Sequence, residues 1–229
     1  MKLLSLNVSM PKTVEYQGKA ITTGIFKEPV RDRVKVQGVN LKGDAQADRE
    51  SHGGEYKAVY AYPFEHYAEW AGELGRNDFT FGWFGENFTT EGLLEDAVYI
   101  GDRLKIGSAL FEVTQPRVPC FKLAMKMEME DFPKRFLASG RTGFYLRVLE
   151  EGEVAAGDAI ERLEVAGERL SVRKVNRLMF QEKADLEGAK RALRVAALSP
   201  GWCAAFEKRL VKAGVVAEIL PRSGCKGGL

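Results

Sequence analysis

Asp102-Arg103-Leu104-Lys105-Ile106-Gly107-Ser108-Ala109-Leu110-Phe111-Glu112-Val113 is two short runs either side of Gly107-Ser108, and it reads as a β-hairpin closed by a two-residue turn. The residues leading into it, Val98-Tyr99-Ile100-Gly101-Asp102, have a counterpart in Val154-Ala155-Ala156-Gly157-Asp158. Each precedes a strand, and the two read as equivalent corners of one small closed sheet. Further out, Lys57 to Tyr62, Gly143 to Leu149 and Ala159 to Leu163 are strand candidates. Met1 to Val8 turns polar too soon for a signal peptide and reads as a first strand. Many short strands punctuated by Gly, Asp and Asn favour a barrel.

Two helices interrupt this pattern. Pro63 suits a first helical turn, Phe64, Tyr67, Ala68, Ala71 and Leu74 then share a face, and Gly75 supplies the stop. A second helix is expected from a cap at Asp131 to Gly140. After about residue 168 the texture becomes helical. Val175 to Phe180 suggests a short helix, and Leu186, Ala189, Leu193 and Ala197 fall at helical spacing. Ser199-Pro200 opens a third helix with Trp202, Ala205, Phe206 and Leu210 on one face. The expected fold is mainly β: a β-barrel domain with inserted helices over 1–167, a three-helix all-α module over 168–218, and a flexible tail over 219–229. A module this small is marginal alone. It is expected to dock on the barrel or on a second subunit, which leaves a homodimer open.

The 229 residues are 45% hydrophobic and 29% charged, a globular balance, with a formal charge of +2 from 34 basic and 32 acidic residues. So even a balance implies neither a nucleic-acid polymer nor an anionic membrane as partner. Uninterrupted apolar runs are too short for a membrane span. The cysteines, Cys120, Cys203 and Cys225, are odd in number and far apart, which fits a reducing, cytoplasmic setting.

Four segments carry candidate chemistry. In Gln115-Pro116-Arg117-Val118-Pro119-Cys120-Phe121-Lys122-Leu123, two prolines stiffen a turn at a strand end. Arg117 and Lys122 lie on either side of Cys120, and positive neighbours favour a thiolate. The same cysteine reads equally as a small buried hydrophobe. In Gly43 to Lys57, Gly53 and Gly54 let backbone N–H groups approach an anion, and His52 and Lys57 add donors for a phosphate. A glycine turn with a surface histidine is the plainer reading. In Phe81 to Leu93, Asn87 presents an amide among aromatics that either wall a pocket or simply pack. In Ser139-Gly140-Arg141-Thr142-Gly143-Phe144-Tyr145, Arg141 suits bidentate anion binding or a salt bridge at a helix end. Two histidines and scattered cysteines give no zinc spacing and no four-cysteine iron–sulfur set, and no Gly-x-Ser-x-Gly elbow occurs.

In their order and joint presence, these segments resemble the MOSC family, the domain named from the C-terminus of molybdenum-cofactor sulfurase, in its bacterial YiiM type. The residues that carry the resemblance are Gly43 to Asp48, His52-Gly53-Gly54 with Lys57-Ala58-Val59, Gly85-Glu86-Asn87 with Thr90 and Gly92-Leu93, Gln115-Pro116-Arg117 with Pro119 to Leu123, and Arg141-Thr142-Gly143. The helical tail resembles the three-helix module of that type, so the likeness reaches to about residue 215.

The resemblance implies a MOSC-type barrel and a molybdenum cofactor (molybdenum–molybdopterin), with Cys120 as catalytic residue and molybdenum ligand. A soft thiolate suits a sulfur-rich metal centre. It further implies cofactor-binding roles for His52, Gly53, Gly54, Lys57, Arg117, Lys122, Arg141, Thr142 and Gly143, with Asn87 on the pterin or the substrate. The implied reaction is reduction of N-hydroxylated compounds such as hydroxylamino purines and amidoximes. Lacking iron–sulfur ligands and a nicotinamide fingerprint, such a chain takes electrons from a separate flavin- or iron–sulfur-bearing reductase. Two other classes stay open. One is a carrier that delivers the cofactor or its sulfur through Cys120 without catalysing reduction. The other is a thiol hydrolase pairing Cys120 with His52 or His66.

Overall fold

The computed structural model describes residues 1–47, 53–163 and 167–215. The hairpin forms as β9 (Arg103–Ile106) and β10 (Ala109–Pro116), with Ile106 opposite Ala109 and Leu104 opposite Phe111. Gly107 takes φ +56, and a Cβ there would lie 2.2 Å from the Glu153 carbonyl oxygen. The turn is thus restricted to glycine by both conformation and space. The two repeated corners match bond for bond. Asp102 Oδ2 accepts from the Tyr99 N–H at 3.0 Å, and Asp158 Oδ2 accepts from the Ala155 N–H at 2.9 Å.

Around the hairpin stand β1 (Lys2–Val8), β4 (Glu28–Pro29), β7 (Val59–Pro63), β8 (Phe88–Glu91), β11 (Phe144–Glu150) and β13 (Ile160–Leu163). Together they make one eight-stranded sheet in the order β13-β9-β10-β11-β7-β8-β1-β4. Its described pairs are antiparallel except β7 with β8, which run parallel from Ala61 opposite Phe88. β9 buries Leu104 and Ile106 and exposes Arg103 and Lys105, as a half-covered strand should. β7 is buried throughout, hence its unbroken apolar run. It begins at Val59 rather than Lys57, because Glu55–Lys57 form a 3-10 turn.

Among the described residues the strands pair as an open row, not as a closed ring of ladders. The row curls so that the start of β1, the strand next to its last, meets the start of β13. Lys2 bridges Ala159, the Leu3 N–H donates to the Asp158 carbonyl at 3.0 Å, and the Ile160 N–H donates to the Met1 carbonyl at 3.0 Å. Beside this sheet lie a hairpin, β2 (Lys12–Tyr16) and β3 (Lys19–Thr23), and a small sheet of β5 (Val34–Gln37), β6 (Asn40–Leu41) and β12 (Gly152–Val154).

Helix α1 (Glu65–Leu74) closes on Gly75 as expected, but its buried face is His66, Tyr67 and Trp70, and Phe64 and Ala68 are exposed. The polar atoms explain the rotation. His66 Nε2 meets Glu95 at 2.7 Å, and Trp70 Nε1 donates to the Tyr62 hydroxyl at 2.8 Å. Helix α2 (Phe121–Met127) was not anticipated. Helix α3 (Phe132–Ser139) starts where Asp131 suggested, although that side chain makes no capping bond.

The C-terminal helices are α4 (Val172–Phe180), α5 (Leu186–Arg194) and α6 (Pro200–Lys212), with Ser171 and Asp185 capping the first two. They dock on the sheet of their own chain. Val172, Val175, Leu178, Trp202 and Phe206 share one core with Phe88, Phe111 and Phe144. Each such buried side chain contributes roughly 1.5–3 kcal/mol. A second, aromatic core of Tyr60, Tyr62, Trp70, Phe84, Phe132 and Phe136 underlies the candidate site. No helix among the described residues is long and apolar enough to cross a membrane. The expected tail, 219–229, lies outside the described residues.

Candidate functional site

β10 ends at Pro116, and α2 begins just after Cys120, which holds extended backbone at φ −128. Pro116 and Pro119 restrict the intervening turn. The half-buried Cys120 borders two clefts. The first has about 670 Å³ of empty space, part of it open to solvent. Lys27, Lys57, Arg117 and Lys122 line it, against the single carboxylate Asp44 among its described lining residues. Four cations around one cysteine favour an anionic occupant.

Arg117 is the unusual member. It is 6% exposed, with its guanidinium 4.8 Å from the Tyr60 ring centroid and 5.4 Å from that of Phe136. Its Nη1 is buried and has no hydrogen-bond partner. Buried charges are normally paired, so this nitrogen awaits an acceptor. Lys27 is paired with Asp44, which also accepts from the Ser9 N–H at 2.9 Å and the Asn87 amide at 3.0 Å. Burial lowers the Lys27 pKa, opposed by Asp44. Lys126, behind the cleft, donates to the carbonyls of Ile25 and Gly82 at 3.1 and 2.7 Å. Burial, opposed by Glu86 and reinforced by Lys27 and Arg117, lowers its pKa to about 8. Burial also raises the Tyr145 phenol, opposed by Arg117, so that it stays protonated at neutral pH.

Lys57, Asn87, Arg117, Cys120 and Lys122 therefore meet at one cleft, as the sequence suggested. Asn87, however, is committed to the protein. Its Oδ1 accepts from the Tyr60 N–H at 3.1 Å, and its Nδ2 donates to the Asn7 carbonyl and to Asp44. It shapes the wall and orients Asp44.

Arg141 lines neither cleft. It bonds Glu69 at 2.8 Å and Glu73 at 2.6 Å on α1 and lies 3.9 Å over Trp70, which is the helix-end salt bridge. Thr142 and Gly143 also stand behind the wall. The Thr142 carbonyl accepts from the Tyr60 hydroxyl at 2.8 Å, and the Gly143 carbonyl accepts from the Arg117 N–H at 3.2 Å. A Cβ on Gly143 would lie 2.4 Å from the Ala61 carbonyl oxygen, so glycine is needed there for close strand packing. Gly53 and Gly54 border the second cleft, not the first. His52 lies outside the described residues. His66 is buried against Glu95 and borders neither cleft, which removes it as a partner for Cys120. Cys203 is packing, its thiol 3.4 Å from the Leu198 carbonyl.

Sequence reasoning missed Lys27, Asp44, Tyr60 and Tyr145. Asp44 lay inside a quoted motif and Tyr145 at the end of another, whereas Lys27 had no local signal. The second cleft, with about 980 Å³ of empty space partly open to solvent, was missed entirely. It runs from Gly53–Lys57 past Cys120 to Ser199–Trp202 at the start of α6, and shares Lys57, Val118, Cys120 and Tyr145 with the first. Among the described residues no three His, Cys, Asp or Glu side chains converge as a metal site.

Residues 48–161 match the MOSC domain family, and residues 170–213 match the YiiM-like, 3-alpha helix domain. The YflK protein of Bacillus subtilis is 44% identical over 207 residues, covering 90% of this chain and 93% of that protein. A protein of Gibberella moniliformis named reductase is 35% identical over 172 residues, 74% of this chain but 30% of that longer protein. The crystal structure of YiiM from Geobacillus stearothermophilus superposes with a TM-score of 0.78 at 38% identity, covering 91% of this chain and 98% of that one.

Proposed function

The chain belongs to the MOSC-domain family and carries its YiiM-like three-helix appendage, and from that premise we propose that it is a molybdenum-cofactor-dependent reductase of N-hydroxylated compounds. The carrying observation is the buried Arg117 guanidinium, with Nη1 unpartnered, in the cationic cleft that Cys120 borders. The residues present suit a molybdenum–pterin group. Its phosphate would take Arg117, Lys57 and Lys122, and its metal would take the Cys120 thiolate, the remaining donors coming from the ligand itself. The relative named reductase lends support to reduction as the activity. The same reading takes the curled sheet, joined at Leu3 and Asp158, as the family's barrel.

The balanced reaction is R–NHOH + 2 e⁻ + 2 H⁺ → R–NH₂ + H₂O. When bound, the cofactor would supply the two-electron exchange. The protein holds Cys120 on a turn stiffened by two prolines and keeps the cofactor's anionic end on fixed cations. It also places the protonated Tyr145 phenol beside the cysteine loop, and Tyr145 or water delivers protons. The chain's three cysteines are too few for a four-cysteine iron–sulfur cluster. Electrons therefore come from a separate flavin- or iron–sulfur-bearing reductase, in a cytoplasm that keeps the thiol reduced.

The test is purification from cells that make the cofactor, molybdenum per chain, and reduction of a hydroxylamino purine with an artificial donor. Metal with turnover is expected. Metal without turnover would move the protein to the carrier class, and absence of both would end the molybdenum reading.

A further inference from the structure

The second cleft differs in chemistry from the first. The first is ringed by cations. The second has one lysine, Lys57, and one carboxylate, Glu55, among its described lining residues, and its walls are Tyr56, Tyr145 and Trp202 with glycines and prolines between them. Flat aromatic and backbone surfaces of near-zero net charge suit a planar neutral ring rather than a phosphate.

Three polar side chains of largely buried residues also line it, and none of their polar atoms is among the buried atoms left without a partner, so they open onto the cleft. They are the amide of Gln115 at 4% exposure, the hydroxyl of Ser199 at 4% and the indole N–H of Trp202 at 7%. Ser199 is the N-cap residue of α6, yet its hydroxyl does not bond back to the helix. An amide, a hydroxyl and an indole N–H offer both donors and acceptors, the complement of a heterocycle edge bearing ring nitrogens and an N–OH group.

We propose that this second cleft is the substrate pocket, that it takes a planar N-hydroxylated heteroaromatic, and that the helical appendage closes it through Ser199 and Trp202. The inference rests on the reductase reading. It assigns the cationic cleft to the cofactor and the aromatic cleft to the substrate, with Cys120 on the wall between them. The appendage then sets selectivity and is not merely a support.

Gly201 gives a test that spares the fold. It borders the cleft, and a Cβ there meets nothing within 4 Å. Tryptophan also suits a helix better than glycine. Gly201→Trp should fill the mouth. Wild type and variant, each loaded with molybdenum, are compared by equilibrium dialysis with 6-hydroxylaminopurine in the absence of electron donor, and by steady-state reduction with an artificial donor. The expected result is roughly tenfold or greater weakening of binding and a matching rise in KM, with molybdenum per chain unchanged. Gln115→Leu and Ser199→Ala should each weaken binding several-fold, in line with about one lost hydrogen bond. Unchanged purine affinity in Gly201→Trp would overturn the proposal. Absence of turnover in a molybdenum-loaded wild type would overturn the reductase reading instead, and the dialysis would still decide whether the cleft binds the purine.

Discussion

Arg117→Met should move the protein in opposite directions with and without its anionic ligand. In the ligand-free chain the guanidinium is 6% exposed, its Nη1 lacks an acceptor, and its face is covered by Tyr60 and Phe136. Desolvating such a cation costs several kcal/mol. The two ring contacts return about 1–2 kcal/mol each. Methionine fills similar space without the charge, so the ligand-free variant should gain about 1–3 kcal/mol. For a chain of this size that is a rise of roughly 2–12 °C in Tm. With ligand, the variant loses a charge-assisted hydrogen bond of about 1.5–3 kcal/mol, or roughly 10- to 150-fold in affinity. Thermal melts of cofactor-free protein and molybdenum retained after dialysis measure the two arms. A ligand-free variant that melts several degrees lower would show that Arg117 is a structural ion and not one waiting for a partner. Wild-type molybdenum retention would refute the anion site.

Cys120→Ser should lose molybdenum and turnover while shifting Tm by no more than about 1 °C, since the residue is only half buried. Retained activity would remove the metal role. The lowered Lys126 pKa, about 8 against the usual 10.5, gives a signed pH effect. The unfolded chain holds this proton more tightly, so the charged lysine penalises the fold fully below about pH 8, and the penalty fades as pH rises toward 10.5. Over the same range the site loses positive charge, so ligand retention should fall while this group's contribution to Tm improves. Lys126→Met should flatten both trends, and identical pH profiles in the two proteins would sink the assignment. Gly107→Ala should cost about 2–4 kcal/mol, because the added methyl meets the Glu153 carbonyl at a positive φ. A Tm within about 2 °C of wild type would contradict that geometry.

What could be seen in the sequence was whatever is decided locally. The hairpin about Gly107 and the twin corners ending in Asp102 and Asp158 are set by turn chemistry within a few residues, and they form as expected. The helix-stopping Gly75 and Gly140 behave likewise. The face that α1 buries was misjudged because hydrophobicity ranked Phe64 and Ala68 above His66. The fold instead satisfies His66 with Glu95, 29 residues away. The pairing of Arg141 was hidden for a related reason, since its partners Glu69 and Glu73 are about 70 positions distant. That Cys120, Arg117 and Lys122 lie together was legible because they share one short stretch of chain. The second cleft was not, since its walls come from residues 53–57, 115–120 and 199–202, which only the tertiary fold brings together.

The seam between Leu3 and Asp158 has a consequence for the order in which the chain can assemble. During synthesis Met1 and the first strand emerge early, but their backbone partners Ile160 and Asp158 leave the ribosome only after most of these residues have been made. Until then that edge of the sheet is open, and unpaired edges invite contact with other chains. Slow closure follows from so wide a sequence separation, and nascent protein shorter than about 160 residues should need chaperone cover that the finished molecule does not.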